Sequence, residues 1–386
     1  MNEKPQLRIV FLVFASIGCV GLARAEESSP APKEVQRARL VKQLGDPSFK
    51  IRECAADQLL AQGLEAKPAL LNALGHTDIE VRMRADKLIR SIDKVDLDRR
   101  LSAFLNDVDG KTEHDLPGWK QYRQVAGSDQ VARELFAEMT KSESYLLKAI
   151  DADKANVTAA YAGRIFALQS ASLPSLSRTI SPASIATLLF VGSDPKVTLD
   201  TMAGYKIYSL LNQSTVAKSI STGGQSPVMK RLLAAWLERI SSNGYLARSG
   251  LQLTMRYEMK DVGLRISREL VAEEKTSVSS LPYAVLTIGK FGDKSDLKSI
   301  EPLLENKTIC HTWSNSKFKE PIKIQVRDVV LAVAVHLTNQ SHQDYGFDLL
   351  QRYDMTLFHV YTCGFVEEAQ REAAFTKWNS WSTQQD

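Results

Sequence analysis

The residues best suited to chemistry lie late in the chain. Cys310-His311, His359 and Cys363 combine two thiols with two imidazoles, the donor types of a zinc site. His359 and Cys363 are four apart, so on a helix they would share a face and reach one ion together. Adjacent Cys310 and His311 cannot easily both point at that ion, which leaves Cys310, His359 and Cys363 as the candidate set. Nearly fifty residues separate its two halves, far from the tight ligand spacing of zinc sites. The expectation is therefore no metal and no cofactor. The competing reading is a satisfied histidine with a buried thiol, or one disulfide between Cys310 and Cys363 in an oxidising compartment.

Catalytic signatures are missing. The chain contains no H-E-x-x-H, G-x-S-x-G, Walker A or G-x-G-x-x-G. Ser295–Lys298 and Ser314–Lys317 match S-x-x-K, but the companion S-D-N and K-T-G elements do not occur. Glu367-Glu368 reads as helix-start charge, not as an acid/base dyad. His336 lies in an apolar run and reads as a hydrogen-bonded core histidine. Trp313, Trp378 and Trp381 could stack on sugars or peptides, but aromatic residues at helical spacing more often pack inward. No catalytic residue is assigned.

The N-terminus carries an address. Lys4 and Arg8 precede the apolar run Ile9 to Leu22, and Ala23-Arg24-Ala25 follows as an A-x-A cleavage pattern. The run is shorter than the roughly 20 residues a spanning helix needs. The expectation is a signal peptide over 1–25, cleaved after Ala25, and a Pro/Ser-rich linker over 26–34. Anchoring as a lipoprotein at Cys19 is the minority reading, because the usual Leu is missing three residues before it. The chain is then exported, periplasmic or extracellular, with no integral membrane segment after cleavage.

Without residues 1–25, 46 basic residues face 44 acidic ones. That near-balance gives no case for a nucleic-acid or polybasic membrane binder. Cys54, Cys310 and Cys363 remain, an odd number, and Cys54 reads as a small buried hydrophobe within a helix.

Two windows repeat at an offset of 30 residues, Leu40–Leu60 and Leu70–Arg90. Leu40 aligns with Leu70, Gly45 with Gly75, Arg52 with Arg82, Ala55 with Ala85 and Leu59 with Ile89. Each window supports two helices. Gly45 or Gly75 ends the first, and a short polar turn starts the second, in which Ile51, Ala55 and Leu59 recur on one face. Such a period signals stacked helical repeats. The pattern L-x-x-x-L-G-D, hydrophobic-Arg, Ala, Leu resembles the HEAT-like repeat family. The resemblance implies antiparallel helix pairs stacked in a superhelix. It also implies a ladder of polar contacts between turns from Asp46, Arg52, Asp78 and Arg82, and Arg327-Asp328 repeats the same feature late in the chain. The ending from Gln325 to Trp381 is similar to exported HEAT-like proteins of planctomycete bacteria, which implies compartment and fold but no chemistry.

Helical periodicity continues to the end. Val326, Val329, Val330, Val333, Ala334 and Leu337 make one stripe, and neighbouring Leu331, Ala332 and Val335 make that helix apolar nearly all round. The expected fold is all-α, a HEAT-like solenoid with at most a short β-hairpin near 306–324. The expected divisions are N-terminal repeats over 35–106, a linker over 107–127, a helical middle over 128–280 and a repeat-like region over 281–386. The functional expectation is a non-enzymatic scaffold that binds a protein or peptide along its concave face. The alternative is a hydrolase or polysaccharide-active enzyme with a HEAT-like module.

Overall fold

The computed structural model describes residues 32–171, 180–314, 316 and 318–384. The signal-peptide segment with Cys19 and Ala25, most of the 26–34 linker, the serine-rich stretch 172–179 and Lys317 of the second S-x-x-K lie outside them. The described residues are 69% helix and 4% strand, an all-α fold. It forms two compact units that part between Arg100 and Leu101, within one continuous helix.

The first unit holds α1 (Pro32–Gln43), α2 (Phe49–Gln62), α3 (Lys67–Ala73) and the body of α4 (Ile79–Asn106). The repeat alignment translates into burial. Leu40 and Leu70, then Ala55 and Ala85, are buried as pairs in one apolar core. Elsewhere the copies diverge: Leu44 is buried where Leu74 is exposed, and Ile51 is exposed where Val81 is buried. Cys54 is exposed, not buried as its helical setting implied, because Ala55 and Leu59 hold the core-facing positions beside it.

Polar contacts recur at each turn, though not as an Asp–Arg ladder. Arg52 Nη1 donates to the carbonyls of Asp46 (2.7 Å) and Pro47 (3.1 Å). Arg82 Nη1 donates to those of His76 (2.6 Å) and Thr77 (2.9 Å). Each arginine thus clamps the turn that precedes its own helix. The carboxylates of Asp46 and Asp78 instead accept from the backbone N–H of Ser48 and Glu80, both at 2.8 Å. Side-chain links between α2 and α4 run through Arg84–Glu53 (2.7 Å) and Arg52–Glu80 (3.5 Å).

The second unit begins in the last turn and a half of α4. Residues 107–127, expected to be a linker, are folded. They carry α5 (Trp119–Ala126) and bury Leu116, Trp119 and Tyr122 against Phe104 and Phe136. The glycines that resemble linker residues frame this helix: Gly118 and Gly127, at φ 78° and 84°, take positive φ values that other residues resist. Asp107 gathers the loop, accepting from Thr112 N–H (3.0 Å) and lying 3.0 Å from His114 Nε2.

Next come α6 (Gln130–Ala149), α7 (Lys154–Ala171), α8 (Pro182–Ser193), α9 (Thr201–Leu211), α10 (Ser214–Ser221) and α11 (Ser226–Ser241). Helix α8 is buried nearly all round and packs on both α6 and α11. Helices α9 and α10 follow one another closely, parted only at Asn212-Gln213. Inside α6 the backbone leaves helical values at Glu143 (φ −133°, ψ 32°). Glu143 is buried there, gripped by Arg164 at 2.7 and 2.5 Å and bonded by the Ser184 hydroxyl.

The remaining helices are α12 (Ala247–Arg256), α13 (Lys260–Ala272), α14 (Leu281–Phe291), the single turn α15 (Leu297–Ile300), α16 (Val326–Leu337) and α17 (Glu368–Ser382). Strands β1 (Ile309–Trp313) and β2 (Ile322–Gln325) form the expected antiparallel hairpin, with a bulge at Cys310. An unexpected two-residue ladder pairs β3 (Arg352–Tyr353) with β4 (Leu357–Phe358). Helix α16 is the centre: its positions from Val326 to Val335 are all buried, among them five valines, a leucine and two alanines that pack in one apolar cluster. Each large apolar side chain taken from water there contributes about 1.5–3 kcal/mol.

Removing Arg164 would leave the buried Glu143 carboxylate without its bidentate partner. We expect Arg164→Ala to lower unfolding stability by about 3 kcal/mol, the low end for breaking a buried pair because Arg164 is itself a third exposed. Urea denaturation measures this, and a change under about 0.5 kcal/mol would refute the role of the pair.

Candidate functional site

The cysteines and histidines singled out above do converge. Cys310 and His311 on β1 meet His359 and the short turn Val360–Thr362 along one side of a cleft. The other side comes from Arg248 and Gln252 on α12 and Tyr283 on α14, and the β3–β4 hairpin adds Tyr353, Met355 and Thr356. The cleft encloses about 350 Å³, at the small end of the range for ligand sites.

Among the described residues no group of three Cys, His, Asp or Glu is placed to hold an ion. The reason lies in the local backbone. His359 precedes a 3₁₀ turn, so His359 and Cys363 never share an α-helical face. The Cys363 thiol, fully buried, points at the His359 carbonyl (3.5 Å) and not at its ring. The Cys310 thiol points at the Ile324 carbonyl (3.4 Å). Both cysteines carry free thiols, so the Cys310–Cys363 disulfide is not formed in this structure. Burial pushes the Cys310 thiol up to about 12, and Cys363 is also raised well above its ordinary value. Neither is poised as a nucleophile.

The imidazole of His359 is instead the middle of a ring stack. Tyr353 lies 4.2 Å from it on one side and Tyr361 5.0 Å on the other, with interplanar angles of 17° and 22°. Trp313 (5.2 Å) and His311 (6.2 Å) pack on Tyr361, and Phe318 packs on Trp313. Ring faces are thus spent on one another, which leaves hydroxyls and ring nitrogens at the edges. Across the cleft, Arg248 stacks over the Tyr283 ring (4.5 Å) and donates to its hydroxyl (2.8 Å). Burial raises the Tyr283 phenol above its ordinary value, so it stays neutral. Among the described residues no Asp or Glu lines the cleft.

The hairpin at the mouth is held under strain. Leu357 has φ 69°, a conformation that costs a bulky residue about 1–3 kcal/mol. Helix α14 supplies the compensation. Lys290 Nζ donates to the carbonyls of Asp354 (2.8 Å) and Met355 (3.2 Å). The Leu357 side chain sits over Gly289, where an added Cβ would lie 2.7 Å from Leu357 Cδ2.

The other singled-out residues are structural. Arg327 reaches Gln325 (2.6 Å), Glu368 and Glu372 (both 3.3 Å), so it joins α16 to α17 and clamps no turn. Asp328, with no exposed surface, accepts from Arg371 Nε (2.9 Å) and from Gln325 N–H (2.9 Å). Burial still holds its carboxyl above the usual range. Ser295 bonds Asp293 (2.6 Å) at the start of a short turn. Trp378 is buried and packs on Trp381 (5.0 Å), whereas Trp313 belongs to the cleft wall. His336 is half-buried, and the histidine with a core hydrogen bond is His342, 2.8 Å from the Ala332 carbonyl.

Sequence reasoning missed Arg248, Tyr283, Tyr353 and Tyr361. They come from separate elements across more than a hundred residues, and no local spacing joins them. No protein-family model matches the chain, and no curated protein matches it.

The geometry fixes an order of thiol reactivity. With a maleimide under native conditions, Cys54 should react first and Cys310 at least about a hundredfold more slowly, while Cys363 should react only on unfolding. Mass spectrometry of the labelled sites reads this out. Fast labelling of Cys310 would show that its thiol is not buried as described.

Proposed function

We propose that the chain is a non-enzymatic, exported helical-repeat protein that binds a protein or peptide partner. The observation that carries this reading is the cleft between α12, α14 and the two hairpins. Among the described residues it gathers three tyrosines, two histidines and an arginine, and no carboxylate. Tyr and Arg dominate recognition surfaces, because they bring large contact area and hydrogen-bonding tips at low cost in side-chain freedom. Acid–base hydrolysis needs paired titratable groups, and here the buried thiol and phenol are pushed toward their neutral forms. This favours recognition over the alternative of a hydrolase.

The first unit supports the same reading on other grounds. Phe49 and Ile79 occupy equivalent places in the two repeats and stand 64% and 63% exposed. An apolar side chain presented at the same helix end in successive copies suits a scaffold that meets its partner along a ridge. The repeat alignment and the shared Arg52 and Arg82 clamps support stacking in the HEAT-like manner. The Ile9–Leu22 run and Ala23-Arg24-Ala25 support export.

Peptide capture tests the proposal. The purified chain, incubated with a random hexapeptide pool, should retain a subset that mass spectrometry recovers uncut. Tyr361→Ala should weaken retention about tenfold, as loss of an aromatic anchor does. Cleaved or modified peptides would show an enzyme, and no retention would reject the reading.

A further inference from the structure

Two guanidiniums on α12 lack an acidic partner. Arg248 and Arg256 each have no carboxylate within 4.0 Å among the described residues. Arg248 spends one N–H on the Tyr283 hydroxyl, and Arg256 donates to the Asn212 side chain (2.6 Å). With Gln252 between them they fall at i, i+4 and i+8, so the three lie along one stripe of the helix. Arg248 and Gln252 line the cleft. The Tyr208 hydroxyl donates to the Gln252 side chain (3.2 Å).

The lining is therefore rich in donors and carries no fixed negative charge. Tyrosine hydroxyls, imidazole edges, Ser279 and the Arg248 fork surround one small volume. A guanidinium in such a setting pairs best with a planar carboxylate, which accepts two parallel N–H bonds. Its guanidinium lies over the Tyr283 ring, which fixes the fork in advance, so little side-chain freedom remains to be lost on binding. We propose that the cleft recognises a carboxylate carried by a peptide, seated on Arg248 with the flanking residues against the Tyr353–His359–Tyr361 stack. Arg256, about 12 Å further along the helix, attracts a second acidic group. The proposal rests on the peptide-binding reading and names the group that is read.

Three fluorescent hexapeptide pools, labelled at the N-terminus, test it by polarisation against the full chain. The first contains Asp and Glu and ends in an amide. The second lacks both residues and ends in a free carboxylate. The third lacks both residues and ends in an amide. Either of the first two pools should bind at least about tenfold more tightly than the third, and the one that does so shows whether a side chain or the terminus supplies the carboxylate. Arg248→Ala should remove that preference at an unchanged melting temperature, since Arg248 is exposed. Arg248→Lys should restore only part of it, and Arg256→Ala should weaken the acidic pool alone. Equal binding of all three pools would overturn the carboxylate proposal while leaving peptide binding in place. Binding of none would reject both. A preference that survives Arg248→Ala would also overturn the assignment.

Discussion

Asp328 and Arg371 form the contact on which the C-terminal architecture hangs. A carboxylate with no exposed surface is tolerable only while its partner stays in place, and breaking such a pair costs about 3–5 kcal/mol. Arg371 also donates to the Lys323 carbonyl (2.9 Å) on β2. One side chain thus ties α17 to the start of α16 and to the strand that leads directly into it. The pair is a poor source of net stability compared with apolar packing, but it permits few alternative arrangements. Around it, valines, leucine and alanines make α16 insensitive to which side faces outward. The polar pair at its first turn supplies the register that apolar packing alone would leave loose.

The cleft inherits its geometry from that core. Strand β2 brings its partner β1 with it, and with β1 come His311 and Trp313. Helix α14, packed on α16, carries Tyr283 and Lys290 two turns apart on one face, and Lys290 clamps the strained hairpin of Tyr353. Stacking of Tyr353, His359 and Tyr361 removes rotamer freedom from the wall before any ligand arrives. A site assembled from loops is thereby given the rigidity of a helix packed on all sides. Solvent still reaches the wall, because Tyr353 is exposed and Tyr361 only half-buried.

Much of the helical framework was legible in the residues, because periodic burial writes itself into local sequence. The unbroken apolar run of α16, the 30-residue repeat and the short hairpin all follow from nearest-neighbour chemistry. Other features do not. Residues 107–127 carry the glycines and charges of a linker, yet Trp119 and Tyr122 find a core built by Phe104 and Phe136. Cys54 sits one position from a buried stripe, and a single 100° step places it in water. His359 and Cys363 have helical spacing on a backbone that is not α-helical, so spacing implied a shared face that the 3₁₀ turn removes. The cleft itself joins Arg248 to Tyr361 through tertiary packing, which leaves no local trace.

The most direct test of this account is amide hydrogen exchange on Arg371→Met, a substitution that removes the charge and keeps most of the side-chain bulk. The account predicts that protection falls across 309–325 and 352–363, the segments that line the cleft, while 182–193 and 226–241 keep theirs. Fraying confined to α17, with the hairpin amides as protected as before, would contradict it.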